Sequence, residues 1–209
     1  MSFTLVRLET TQEKFWREEF GNNLIPRNTN LAKMREPFFS KIMALGGDIS
    51  SVCELGCNIG ENLLVLRLAK PEIKNCCNGN KSQAFEQLSD IEGLEGTLGA
   101  IQDYEPGKAF DLTMTVCVLI HLNPDDLPLA HEKLLTLSSK YILINEYFNP
   151  VPVAISCRGH EEKLFKRDFT GEFLEQYKGK VEVVDYRFLW KRDVPVWDNT
   201  NWALFEKRP

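Results

Sequence analysis

The stretch Val52–Cys53–Glu54–Leu55–Gly56–Cys57–Asn58–Ile59–Gly60–Glu61–Asn62 runs from an apolar segment through an acidic residue into a glycine-bounded turn, and Leu63–Leu64–Val65–Leu66 follows. Gly56 and Gly60 permit a tight turn and let a ligand approach the backbone closely. A helix opening after Gly60 points its first amides at that ligand. Glu54, at the end of the apolar segment, can accept a hydrogen bond or attract an amine. Proton handling needs a group that titrates near neutrality, and His121 is the best candidate by residue type, with His160 competing. Glu146 and Tyr147 can hold a hydroxyl, and Asn149 follows them. Arg158, Lys166 and Arg167 suit a carboxylate or phosphate in an otherwise acidic chain. Each has a plainer reading: a histidine satisfied by backbone, a loop-anchoring hydrogen bond, a solvated surface charge.

These groups need a scaffold. Thr10 to Phe20 carries Phe15, Trp16 and Phe20 at helical spacing, and Leu31 to Leu45 resumes that period, with Pro37 starting or kinking a helix. From Ile49 to Asn145, strand and helix patterns alternate. Strands are expected at Ile49–Leu55, Ile73–Asn78, Leu94–Ile101, Phe110–Ile120 and Tyr141–Asn145. Helices are expected at Asn62–Lys70, Lys81–Asp90 and Pro124–Leu137. Such alternation predicts a doubly wound, mostly parallel α/β sheet. Glu146 to Asp168 reads as a long polar loop, Phe169 to Tyr177 as a short helix, and Val181–Trp190 with Thr200–Phe205 as a closing antiparallel pair, making seven strands in all. In an open sheet of this kind, ligands bind beyond the carboxyl ends of the strands. Those ends deliver Glu54, Gly56, Asn58 and Gly60, then Asn78, then Gln102, Asp103 and Tyr104, then Cys117 and His121, then Glu146, Tyr147 and Asn149.

The 209 residues, 43% hydrophobic and 26% charged, fit one globular domain. We divide it into a helical cover (1–48), a core (49–145) and an acceptor loop with closing strands (146–209). No apolar run approaches the roughly 20 residues needed to span a bilayer. Met1 to Thr10 shows no signal-peptide pattern, so a cytosolic protein is expected. The net charge of -5 disfavours duplex nucleic acid as a partner. The six cysteines have no C-x-x-C spacing and are expected reduced. Cys53, Cys76, Cys77 and Cys117 read as small buried hydrophobes, with a reactive thiol the alternative at Cys117 or Cys157. His131, inside a charged helix, is expected to be solvated, and Trp190, Trp197 and Trp202 to pack in the core and hairpin.

The Glu54-to-Gly60 turn resembles the first motif of class I S-adenosylmethionine (SAM)-dependent methyltransferases, acidic-x-Gly-x-Gly-x-Gly, with Asn58 at the middle glycine. The spacing fits an NAD fingerprint less well. That resemblance implies a Rossmann-like fold and SAM as cofactor, with Glu54, Gly56, Asn58, Gly60 and Cys117 around it. It implies Asn78 in place of the acidic residue that usually holds the ribose, and Ile101–Gln102–Asp103–Tyr104 at the adenine, with Asp103 accepting from its amine. Phe15 to Arg27, Trp16 included, would form a cover over the cofactor with Arg27 near its carboxylate; the plainer reading is that Trp16 and Phe20 pack in the core. Over most of its length the chain is similar to the pseudaminic acid biosynthesis-associated methylases. The segments that carry this are Phe15–Trp16, Glu54–Leu55–Gly56–Cys57–Asn58–Ile59–Gly60, Glu146–Tyr147–Phe148–Asn149–Pro150, Arg158–Gly159–His160 and Leu164–Phe165–Lys166–Arg167–Asp168–Phe169. The implied activity is methyl transfer to a polar small molecule of sugar or nonulosonic-acid type. A SAM-fold binding module that has lost tight cofactor affinity is the alternative, which Asn78 favours.

Overall fold

The computed structural model describes residues 10–17, 31–88, 91–157 and 159–208, apart from the side chains at 157 and 160–162. Five parallel strands come first: β1 (Ser51–Leu55), β2 (Lys74–Gly79), β3 (Leu94–Leu98), β4 (Phe110–Val116) and β5 (Ser138–Tyr147). A separate hairpin follows, β6 (Val153–Cys157) with β7 (His160–Lys166), and then β8 (Val181–Leu189) and β9 (Thr200–Lys207). The main sheet has the order β3-β2-β1-β4-β5-β9-β8, with β9 antiparallel to both of its neighbours. The described helices are α1 (Thr11–Arg17), α2 (Ala32–Gly46), α3 (Glu61–Ala69), α4 (Ser82–Leu88), α5 (Leu127–Thr136) and α6 (Phe169–Gln176).

The central strands are buried on both sides, which is why they read as continuous apolar runs. In β5, Ile142 and Ile144 pack with Leu134 of α5 and Phe173 of α6, while Leu143 packs on the opposite face with Phe39, Ile42, Leu63 and Leu66 of α2 and α3. β9 divides in the same way, with Ala203 and Phe205 on one face and Trp202 and Leu204 on the other. No helix among the described residues is long and apolar enough to cross a membrane.

Five expectations need correction. The fourth strand stops at Val116, not Ile120, because Cys117 takes a left-handed φ of 55° and the chain turns into a single 3-10 turn, Leu119–His121. The 146–168 segment is not a loop: β5 runs on to Tyr147, and the β6–β7 hairpin takes up most of the rest. Its period-2 pattern is hidden by charged residues on a hairpin that stands outside the main sheet. His131 is buried rather than solvated, with Nδ1 3.0 Å from Gln176 Oε1 and its ring edge-on to Phe173. Trp190 is 53% exposed, whereas Trp197 and Trp202 are buried. Pro37 lies inside α2 without ending it.

Helix α6 is held at its start by Asp168, whose Oδ1 accepts from Gly171 N at 2.9 Å and from Thr170 Oγ1 at 3.0 Å. This is an N-cap satisfying one of the four orphan amides. Asp168→Ala is expected to cost about 1 kcal/mol, read as a lower midpoint in urea unfolding with an unchanged slope.

Candidate functional site

The carboxyl ends of β1, β2 and β4 open into one cleft of about 1250 Å³, counting its solvent-open mouth. The turn after β1 forms its floor. Gly56 (φ 79°), Asn58 (φ 51°) and Gly60 (φ 77°) are all left-handed there. A Cβ on Gly56 would stand 2.6 Å from Val118 Cγ1, so the β1 and β4 turns can approach only at a glycine. The amides of Gly56 and Cys57 both donate to Asn78 O, at 2.9 and 3.0 Å, tying the turn to the end of β2.

Glu54 is almost fully buried at the end of β1. Its Oε1 accepts from Asn62 Nδ2 at 2.6 Å, and Asn62 Oδ1 accepts from Arg35 Nη1 at 2.7 Å. Arg35 also lies over the Trp197 ring, 4.7 Å from its centroid. Burial pushes Glu54 up to about 7, against the opposing effects of Asn62 and Arg35. Among the described residues its Oε2 has no hydrogen-bond partner, and neither has Asn78 Oδ1; both atoms are buried, and both residues line the cleft. Asn78 Nδ2 is spent on Gly99 O at 2.9 Å. Gln102, on the 3-10 turn after β3, lines the cleft with both amide atoms buried and unpartnered.

The roof is α1. Thr10 and Glu13 form a reciprocal cap: Glu13 Oε2 accepts from Thr10 N at 2.7 Å, and Thr10 Oγ1 accepts from Glu13 N at 3.1 Å. Gln12 Nε2 donates to His121 O at 2.9 Å and to Lys163 O at 2.8 Å, so one side chain joins the roof to the β4 turn and to the β7 hairpin. Trp16 stacks on His121 with ring centroids 4.0 Å apart. Burial, aided by nearby Lys81, lowers the His121 pKa to about 3 and keeps the imidazole neutral; its Nδ1 is buried with no partner.

Of the residues named from sequence, the structure brings Trp16, Glu54, Gly56, Asn58, Asn78, Cys117 and His121 together on the cleft wall. Others lie elsewhere. Gly60 is the residue before α3, behind the wall. Asp103 is exposed outside it, and Gln102 takes the inward position on the same turn. Tyr104 points into the core, with its hydroxyl 2.8 Å from Cys76 Sγ. Glu146 is fully buried beneath the cleft, its Oε1 accepting from Val118 N at 2.7 Å and Leu119 N at 2.9 Å. Tyr147 donates to Asp198 Oδ2 at 2.6 Å, with Lys166 Nζ 5.2 Å from its ring centroid. Asn149 bonds Val151 O, and Arg167 Nε bonds Glu172 Oε1 at 2.7 Å. Arg27, Arg158 and the side chain of His160 lie outside the described residues. The sequence reading passed over Arg35, Asn62 and Gln12. Asn62 was the findable one, eight residues after Glu54 in the first turn of the following helix.

By sequence, the chain matches no protein-family profile and no curated protein. By fold it does have neighbours. It superposes on the Burkholderia thailandensis 1,6-didemethyltoxoflavin N1-methyltransferase, solved with 1,6-didemethyltoxoflavin and S-adenosylhomocysteine (SAH), with a TM-score of 0.72 at 13% identity, covering 99% of this chain and 94% of that one. The plantazolicin methyltransferase BpumL with SAH gives 0.66 at 13%, covering 95% and 94%. Coclaurine N-methyltransferase with N-methylheliamine and SAH gives 0.66 at 12%, covering 84% and 70%. The fold is that of the class I SAM-dependent methyltransferases.

Glu146 supplies the test of this site's construction. Glu146→Ala strips two amides of their acceptor and is expected to cost about 2–4 kcal/mol in denaturant unfolding. Burial raises Glu146 from its ordinary 4.5 to about 7. Between those values the unfolded chain has lost the proton that the folded chain keeps, so this group's contribution to stability falls as pH rises through that window and is level above it. Glu146→Gln, which keeps the acceptor oxygen and never ionises, is expected to gain on the parent as pH rises from 4.5 to about 7, read in parallel melts.

Proposed function

We propose that this protein is a SAM-dependent methyltransferase acting on a polar small molecule, of sugar or nonulosonic-acid type by resemblance. The observation that carries the reading is the set of buried, unpartnered polar atoms on one wall of a class I fold: Glu54 Oε2, Asn78 Oδ1 and the Gln102 amide. Such atoms are costly unless something bonds them. Their chemistry fits the cofactor. Glu54 Oε2 suits an ammonium and Arg35 a carboxylate, as in the methionine end. Asn78 Oδ1 accepts from a ribose hydroxyl. Gln102 offers both a donor and an acceptor, complementary to an adenine edge. Solved neighbours of the same fold hold SAH, which supports the assignment.

When bound, SAM supplies a methyl already activated by its sulfonium. The chain's own task is then alignment of an acceptor lone pair and exclusion of water. Trp16 and Gln12 close the roof. His121, held neutral, presents Nδ1 as an acceptor for the N–H or O–H of the substrate and so orients its lone pair; with its pKa lowered to about 3 it positions the acceptor rather than keeping the proton. Glu146 acts at one remove, by fixing the turn that carries His121.

Calorimetry with SAH tests this. Binding in the micromolar range is expected, and absence of heat at millimolar ligand overturns it. An ammonium at Glu54 lowers that carboxyl from about 7, so binding near pH 6 is expected to release protons. Repeating the titration in buffers of different ionisation heat measures the release, and Glu54→Gln should abolish it.

The neutral Asn78 favours a second reading, a binding module without turnover. Asn78→Asp is expected to tighten SAH about tenfold by making a charge-assisted bond. Turnover of any sugar-type acceptor by the parent chain settles for the enzyme. Tightening with no turnover settles for the module.

A further inference from the structure

Strand β8 ends the main sheet. β9 covers one of its edges, and no described strand pairs with the other. Asp185, Arg187 and Leu189 sit opposite Leu204, Trp202 and Thr200, on the face covered by α2. Tyr186 and Phe188 sit opposite Ala203 and Asn201, on the face where α6 packs over β5 and β9. Along this strand and just past its end, Val183, Tyr186, Phe188 and Trp190 are 40%, 47%, 50% and 53% exposed. Single exposed hydrophobes need no explanation, but a row of them on an open edge strand does.

We propose that β8 pairs with β8 of a second copy of this chain, antiparallel and centred on Tyr186, joining the two main sheets into one. The charges choose that register. A two-fold axis at Tyr186 sets Asp185 opposite Arg187 of the second copy, and Arg187 opposite its Asp185, on the same face. It sets Tyr186 against Tyr186 and Phe188 against Val184, the aromatic and β-branched pairs that stabilise strands. Moving the axis one residue either way sets Asp185 on Asp185 or Arg187 on Arg187, which repel. Within one chain, Asp185 Oδ2 holds Lys41 Nζ of α2 at 2.8 Å and Arg187 Nε lies 3.3 Å from Asp185 Oδ1; the arginine is largely exposed, so its other guanidinium nitrogens are open to the second copy and would join this pair. The bulge between Val183 and Asp185 limits pairing along the rest of the edge and so helps to hold the register.

Sedimentation velocity on the full chain tests this, from about 1 to 200 μM. A dimer with a dissociation constant of about 10 μM is expected from an interface of this small size. Arg187→Glu and Asp185→Arg should each weaken it at least about tenfold, by setting like charges opposite one another. An equimolar mixture of those two variants should recover the dimer, because each substituted position then faces an opposite charge, and recovery also proves both variants folded. Phe188→Lys should weaken the dimer similarly. A chain that stays monomeric throughout the range overturns the proposal. So does a dimer that none of these changes weakens, or a mixture that fails to recover although both variants melt cooperatively.

Discussion

One buried carboxylate sets the shape of the cleft. Glu146 ends β5 with no exposure, and its Oε1 takes the amides of Val118 and Leu119. Buried amides need partners, and a charged or polar acceptor is the strongest available to a chain that has just left its sheet. Because these two are bonded sideways to β5, β4 cannot continue. Cys117 goes left-handed and His121 is delivered on a single 3-10 turn. The carbonyl of His121 then accepts from Gln12, and Gln12 reaches Lys163. Two contacts in series lead from Glu146 to the roof and a third carries on to the β7 hairpin, each holding the next element in place.

A second carboxylate plays the opposite part. Both residues are buried and each has one oxygen without a hydrogen-bond partner among the described residues, but Glu54 lines the cleft and Glu146 does not. Glu146 spends its bonded oxygen on backbone amides beneath the cleft, whereas Glu54 keeps its unbonded acceptor on the cleft wall, at a cost of about 1–3 kcal/mol. The Asn62 and Arg35 contacts offset part of that cost and fix the carboxyl plane. What supports the cleft as a place for binding is that Glu54 stands on its wall together with the unpartnered Asn78 Oδ1 and Gln102 amide.

The alternation of apolar runs with helical periods made the layered sheet legible, because burial on both faces keeps β1, β4 and the middle of β5 largely apolar. The glycine turn was legible too, since left-handed backbone at Gly56 and Gly60 leaves few other residue types. What the sequence hid depends on direction. Asp103 and Gln102 are neighbours on one short turn, and nothing in a sequence says which of them faces inward. Tyr104 is expected by resemblance at the adenine, but in the fold its hydroxyl is fixed among Cys53 and Cys76. Arg35 sits in a helix that looks like ordinary packing. Only the crossing of α2 over α3 brings it to Asn62. The β6–β7 hairpin was hidden because its charged residues mask the strand period.

Asn78 is better understood from its surroundings than as a missing acid. The parallel register sets Leu55, next to Glu54, opposite Asn78, and both Glu54 and Asn78 are about 1% exposed. Burial already raises Glu54 to about 7 against the opposing effects of Asn62 and Arg35. A second carboxylate on the same dry floor would oppose its ionisation further, and vice versa, as like charges in one site do. A neutral amide keeps an acceptor at that corner without this conflict, and its Nδ2 also bonds Gly99 O, tying the end of β2 to the β3 turn that carries Gln102. An aspartate there would strengthen the one hydrogen bond that Oδ1 accepts, and its net gain in SAH affinity is what remains after the opposition it sets up against Glu54.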